Sequence, residues 1–147
     1  GRMSLTVFFF FFFECYGDHR DLHSFPTRRS SDLHKGTVTY HPSCHLLREL
    51  GVKTEPAKLL SSVPGLESRD LNGAEICCGF GGTFSVKFPH ISEGMVTDKI
   101  TNVQNSGAET LVACDMSCLM NMGGALNRQG SNIKIRHLAQ ILDSDSD

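Results

Sequence analysis

Cys44, the vicinal pair Cys77-Cys78, Cys114 and Cys118 form a C-x32-CC-x35-C-x3-C array. Adjacent cysteines rarely reach unstrained S–S geometry on one backbone, so the pair is a poor disulfide. It is well suited to ligate or bridge two irons of one cluster, because thiolates are soft ligands that favour Fe–S or zinc. The array reads as an iron–sulfur site. Structural zinc is the alternative, although zinc sites commonly repeat close C-x2-C pairs and this chain has none. Packed or disulfide-linked cysteines are the remaining possibility.

The elements around these thiols alternate. Thr37-Val-Thr-Tyr40 is a β-branched run that predicts a strand, ending in His41-Pro-Ser-Cys44-His45. Leu46, Leu47 and Leu50 continue as a helix, with Gly51 as its stop. Pro56 suits the first turn of a short helix through Leu60, closed by Pro64-Gly65. Leu66 to Leu71 predicts a second strand, ended by an Asn72-Gly73 turn. Ile91, Met95, Val96, Ile100 and Val103 mark one helical face, and Gly107 ends it. Leu111-Val-Ala113 is a third strand running into Cys114; Leu119, Met122 and Leu126 predict a helix; Ile133 to Arg136 is a fourth strand. Strands alternating with helices imply an α/β fold, a small mainly parallel sheet flanked by helices. Ligands of such sheets collect beyond the carboxyl ends of the strands. Cys44 and Cys114 each follow a strand, Cys118 lies one helical turn on, and Cys77-Cys78 follows the second strand. All five are therefore expected to converge on that edge, and Gly79, Gly81 and Gly82 leave room for a bulky inorganic core.

Other residues invite blander readings. His41 and His45 flank Cys44 as possible ligands or proton donors, although such histidines more often support ligands or face solvent. His90 and His137 read as structural, Lys87 as an exposed lysine. Met116, Met120 and Met122 read as a flexible apolar wall near Cys118. Gly79-Phe-Gly-Gly-Thr-Phe84 is a weak match to a phosphate loop, lacking the third glycine of G-x-G-x-x-G. Neither a Ser/His/Asp arrangement, paired carboxylates, nor a flavin or nicotinamide motif stands out.

Residues 1–33 read differently. Val7 is followed by six phenylalanines, and Tyr16 to Leu33 resembles the conceptual translation of a common short-read sequencing adapter. The biological alternative is a signal peptide, but no small-residue cleavage site follows, and the apolar run is too short to span a bilayer. This segment, Cys15 included, is expected to be non-native. It contains four basic and four acidic residues, so the net charge of −2 belongs to the rest. A mildly acidic remainder speaks against nucleic acid, which calls for a basic stripe. Residues 34–142 suffice for one small domain, and 143–147 read as a frayed polar tail. A reducing cytoplasm is the expected compartment, where clustered cysteines favour metal over disulfide.

Ser43-Cys-His-Leu, the string Cys77-Cys-Gly-Phe-Gly-Gly-Thr-Phe-Ser-Val-Lys87, Gly107-Ala-Glu and Cys118-Leu-Met-Asn-Met-Gly-Gly124 carry a family resemblance. From about Thr37 to Leu142 the chain resembles the cysteine-rich CCG domain of iron–sulfur oxidoreductase subunits. The likeness is closest to the carboxyl half of lactate-utilization subunits, with those of heterodisulfide reductase and glycolate oxidase further off. The resemblance implies Cys44, Cys77, Cys78 and Cys118 as ligands of an iron–sulfur cluster of the 4Fe-4S type. Cys114 is a further candidate whose C-x3-C spacing departs from the family's C-x-x-C. It also implies electron transfer within a cytoplasmic complex that oxidises L-lactate to pyruvate, with sister subunits and no membrane span of its own. A preceding half with its own cysteine motif belongs to that pattern, so the chain is expected to be a truncated reading frame, inactive alone.

Overall fold

The computed structural model describes residues 36–143. The 1–33 segment with Cys15, and the tail from residue 144, lie outside the described residues.

Four strands form the sheet: β1 (Gly36–His41), β2 (Leu66–Arg69), β3 (Thr110–Ala113) and β4 (Lys134–His137). All pairings are parallel and the order is β2-β1-β3-β4. The α/β expectation holds. A single π-helical turn, His45–Glu49, follows β1 where a helix stopped by Gly51 was expected. The helices are α1 (Glu55–Ser61), α2 (Thr83–Lys87), α3 (Pro89–Asn105), α4 (Met116–Arg128) and α5 (Leu138–Leu142). The short α2 and α5 were not foreseen. Each is five residues long, below the length at which hydrophobic periodicity is readable.

Strand alternation explains the layers, since successive side chains point to opposite faces. Leu111 packs with Val96, Ile100, Val103, Met122 and Leu126 beneath α3 and α4. Its neighbour Val112 packs with Val38, Leu60, Leu138 and Ile141 beneath α1 and α5. The molecule is thus three layers with two cores. Burying each such aliphatic side chain contributes about 1.5–3 kcal/mol. Thr39 is fully buried, and its hydroxyl donates to the carbonyl of Arg69, tying β1 to β2.

The face of α3 departs from expectation. Val96, Ile100 and Val103 are buried, but Ile91 is exposed, and the stripe is completed by Ser92 and Lys99. Gly107 ends the helix as foreseen, with φ +68, a conformation glycine adopts without a Cβ penalty. No helix among the described residues is long and apolar enough to cross a membrane.

Candidate metal centre

In the order β2-β1-β3-β4, the chain leaves β1 toward one side of the sheet and leaves β2 for the other side. The crevice between the carboxyl ends of β1 and β3 is the topological switch point, where open α/β sheets bind ligands. His41 ends β1 and Cys44 follows it; Cys114, Asp115 and Cys118 follow β3.

Cys118 is fixed by its helix. Asp115 is the N-cap of α4, its carboxylate accepting from the N–H groups of Ser117 (2.9 Å) and Cys118 (3.2 Å) and from the Ser117 hydroxyl. Burial opposes the charge of Asp115, but these hydrogen bonds outweigh it and hold the carboxyl below its usual pKa. Cys118 is buried and its sulfur lies 2.9 Å from that of buried Cys78. This separation is well beyond a disulfide's roughly 2.05 Å, and all five described cysteines are free. The two thiols are hydrogen-bonded to each other. Their hydrogen bond, aided by His41, draws Cys78 down to about 4 against the opposing effect of burial. The same bond, with burial, pushes Cys118 up. Burial also raises the Cys77 thiol, and the nearby sulfurs of Cys78 and Cys44 add to the rise. The Gly79 N–H, donating to Cys77 Sγ at 3.4 Å, counters it. Cys78 and Cys44 each act on both Cys77 and Cys118, so the four sulfurs share one neighbourhood.

Cys114 goes elsewhere. It lies two residues beyond Val112 and packs with it on the face of α1 and α5, where Tyr40 donates its hydroxyl hydrogen to the sulfur at 3.6 Å. Burial, then that contact, raises the Tyr40 phenol. The sequence expectation brought five thiols together; the structure brings four, because period-2 alternation continues past the strand end and turns Cys114 to the opposite face.

His41 joins the four. It is 1% exposed, and its ring lies with the sulfurs of Cys78 and Cys118 in a group whose ligand atoms are all within 4.8 Å of one another. Neither ring nitrogen has a hydrogen-bond partner. A buried polar atom left unsatisfied costs about 1–3 kcal/mol, so an unpartnered imidazole amid thiolates fits a site built for a metal or cluster. His45, by contrast, is exposed and pairs with Glu49. His137 is structural: Nδ1 accepts from Ala139 N–H at the start of α5, and Nε2 lies 3.1 Å from the Cys114 carbonyl. Only Met122 of the three methionines is buried; Met116 and Met120 are exposed, so no methionine wall forms.

The segment Gly73–Gly79 carrying the vicinal pair has neither helix nor strand hydrogen bonds; Ile76 N–H closes a turn on the Gly73 carbonyl (3.0 Å), and side chains of α3 and α4 reach four of its carbonyls. Asn121 Nδ2 donates to Cys78 O (2.8 Å) and Ser92 Oγ to Gly79 O (2.7 Å). Lys99 Nζ donates to Gly73 O (2.8 Å) and Ala74 O (2.7 Å). Gly79 has φ +84, and a Cβ there would meet the Ser92 carbonyl at 2.7 Å, so α3 approaches the pair as closely as a backbone can. None of Asn121, Ser92 and Lys99 was singled out from sequence. The readable signal was a polar residue inside an apolar stripe, as at positions 92 and 99 of α3.

Comparison with known proteins agrees with this architecture. Residues 38–123 match the cysteine-rich domain family CCG. Lactate utilization protein A of Oceanobacillus iheyensis is 54% identical over 110 residues, 75% of this chain and 45% of that protein. The protein of the same name from Bacillus subtilis is 54% identical over 107 residues, 73% of this chain and 45% of its own length. That of Lysinibacillus sphaericus is 50% identical over 109 residues, covering 74% and 48%. The chain spans about half the length of these curated relatives. On its four gathered thiols and its match over residues 38–123, the chain belongs to the CCG cysteine-rich domain family.

Proposed function

We propose that this domain holds one iron–sulfur cluster, of the 4Fe-4S type, on Cys44, Cys77, Cys78 and Cys118. It would serve as an electron-transfer unit of a cytoplasmic complex oxidising L-lactate to pyruvate together with sister subunits. The observation that carries the reading is the convergence of four thiols at the switch point of the sheet, around an unpartnered imidazole. A cluster bound there supplies one-electron transfer at a potential set by its charge, hydrogen bonding and burial. The chain's own contribution is preparation. Cys78 is already drawn to its thiolate form, α3 and α4 hold the vicinal pair in place, and the burial of Cys78 and Cys118 limits water.

One observation favours a second reading, a zinc-stabilised interaction module without redox activity. His41, Cys78 and Cys118 are compact enough to ligate a single ion, and mixed Cys/His sets are common for zinc. The two readings part on reduction. After anaerobic reconstitution with iron and sulfide, the cluster reading predicts visible absorbance that dithionite bleaches and air or ferricyanide restores. A colourless chain that takes up one zinc and no iron favours the second.

A further inference from the structure

Lys99 is fully buried in the middle of α3. A buried ammonium is costly unless an anion compensates it. Among the described residues no carboxylate lies within ion-pair distance of Lys99, and its three donors meet only the carbonyls of Gly73 and Ala74. The acidic groups that act on it are the thiols of the site, Cys78 first and then Cys77 and Cys118, and of these Cys78 is the one drawn to its thiolate form. Burial draws Lys99 down to about 8, and the charge of the thiol group works against that fall. Ser92 lies seven residues earlier, two turns away on the same face of the helix. Ser92 and Lys99 therefore grip the Gly73–Gly79 segment on both sides of the vicinal pair.

We propose that Lys99 is the counter-charge of the thiol site, a positioning residue that both anchors the segment before Cys77-Cys78 and stabilises added negative charge there. The inference rests on the reading of this thiol group as a metal centre and deepens it. One-electron reduction adds one negative charge to the site, and a fixed cation close by in a poorly screened interior favours it. Lys99 would thus make reduction easier, and would also favour binding of any ion that requires several thiolates at once.

Two neutral variants separate charge from anchoring. Lys99→Gln keeps a hydrogen-bond donor for the segment, whereas Lys99→Met keeps the length and loses both functions. On reconstituted protein, spectroelectrochemical titration is expected to show the reduction equilibrium of Lys99→Gln weakened about tenfold, a negative shift of about 59 mV for one electron, with iron and sulfide content unchanged. Lys99→Met should shift at least as far; if it does not fold, Lys99→Gln alone carries the test. A Lys99→Gln protein with the wild-type potential overturns the proposal and leaves Lys99 a purely structural anchor. If even the wild-type chain takes up no iron, the cluster reading has failed on its own. The inference is then read from cobalt(II) titrations followed by thiolate charge-transfer absorbance. About tenfold weaker binding by Lys99→Gln supports it, and equal binding overturns it.

Discussion

Serine in place of Cys77, Cys78, Cys44 or Cys118 exchanges a soft thiolate for a hydroxyl that holds iron poorly. Each of these variants is expected to lose most of the visible absorbance after anaerobic reconstitution. Cys114→Ser should retain it, since Cys114 packs against Tyr40 on the other face of the sheet. Equal loss at all five positions would make Cys114 a ligand and require the β3–α4 connection to rearrange. The thiols were legible because cysteine spacing is itself chemical information. The face taken by Cys114 was also written in the alternation of Leu111, Val112 and Ala113, which continues one step past the strand. His41 and Lys99 were less readable. His41 was marked in the sequence only on a par with His45, and its two unpartnered nitrogens set it apart; the ammonium shows itself only when it is seen to lack a carboxylate.

Asp115 joins strand, helix and thiol at the scale of one element. Its side chain caps α4 and receives the Cys118 N–H, so Asp115→Ala is expected to lower the stability of the metal-free protein by about 1 kcal/mol at pH 7. The folded pKa of Asp115 lies below the unfolded value of about 3.9. The carboxylate's contribution is therefore full above that unfolded value and fades as pH falls through the depressed folded one. Urea unfolding at pH 7 and near pH 3 should show the gap between wild type and Asp115→Ala narrowing in acid; a constant gap would remove the charge from the account. Gly79→Ala places a methyl against the Ser92 carbonyl at positive φ and should cost about 2 kcal/mol in the same assay. Strands and long helices were legible from β-branched runs, apolar spacing and glycine stops. The loop from Gly73 to Gly79 was not, because its conformation depends on side chains of α3 and α4 that reach it only after the sheet has brought them there.

For the whole molecule, a chain beginning at His34 is expected to match the full chain in unfolding midpoint and metal content, because the matched family region starts at residue 38. A lower midpoint would show that residues 1–33 contribute to the fold. The chain alone is also expected to show no lactate-dependent dye reduction, since cleaving the α-C–H bond of a hydroxy acid calls for a hydride or carbanion acceptor. Turnover that scales with protein and disappears in Cys78→Ser would place a catalytic site within it. The parallel sheet, the positions of its four strands along the chain and the use of its carboxyl edge were all readable from alternating strands and helices. The side of the sheet each loop serves required the strand order, which no local pattern contains. The central claim, that the four gathered thiols hold an iron–sulfur cluster, is tested most directly by metal and acid-labile sulfide analysis of anaerobically purified and reconstituted protein. The account predicts about four iron and four sulfide per chain, both lost in Cys78→Ser. Stoichiometric zinc with neither iron nor sulfide would contradict it.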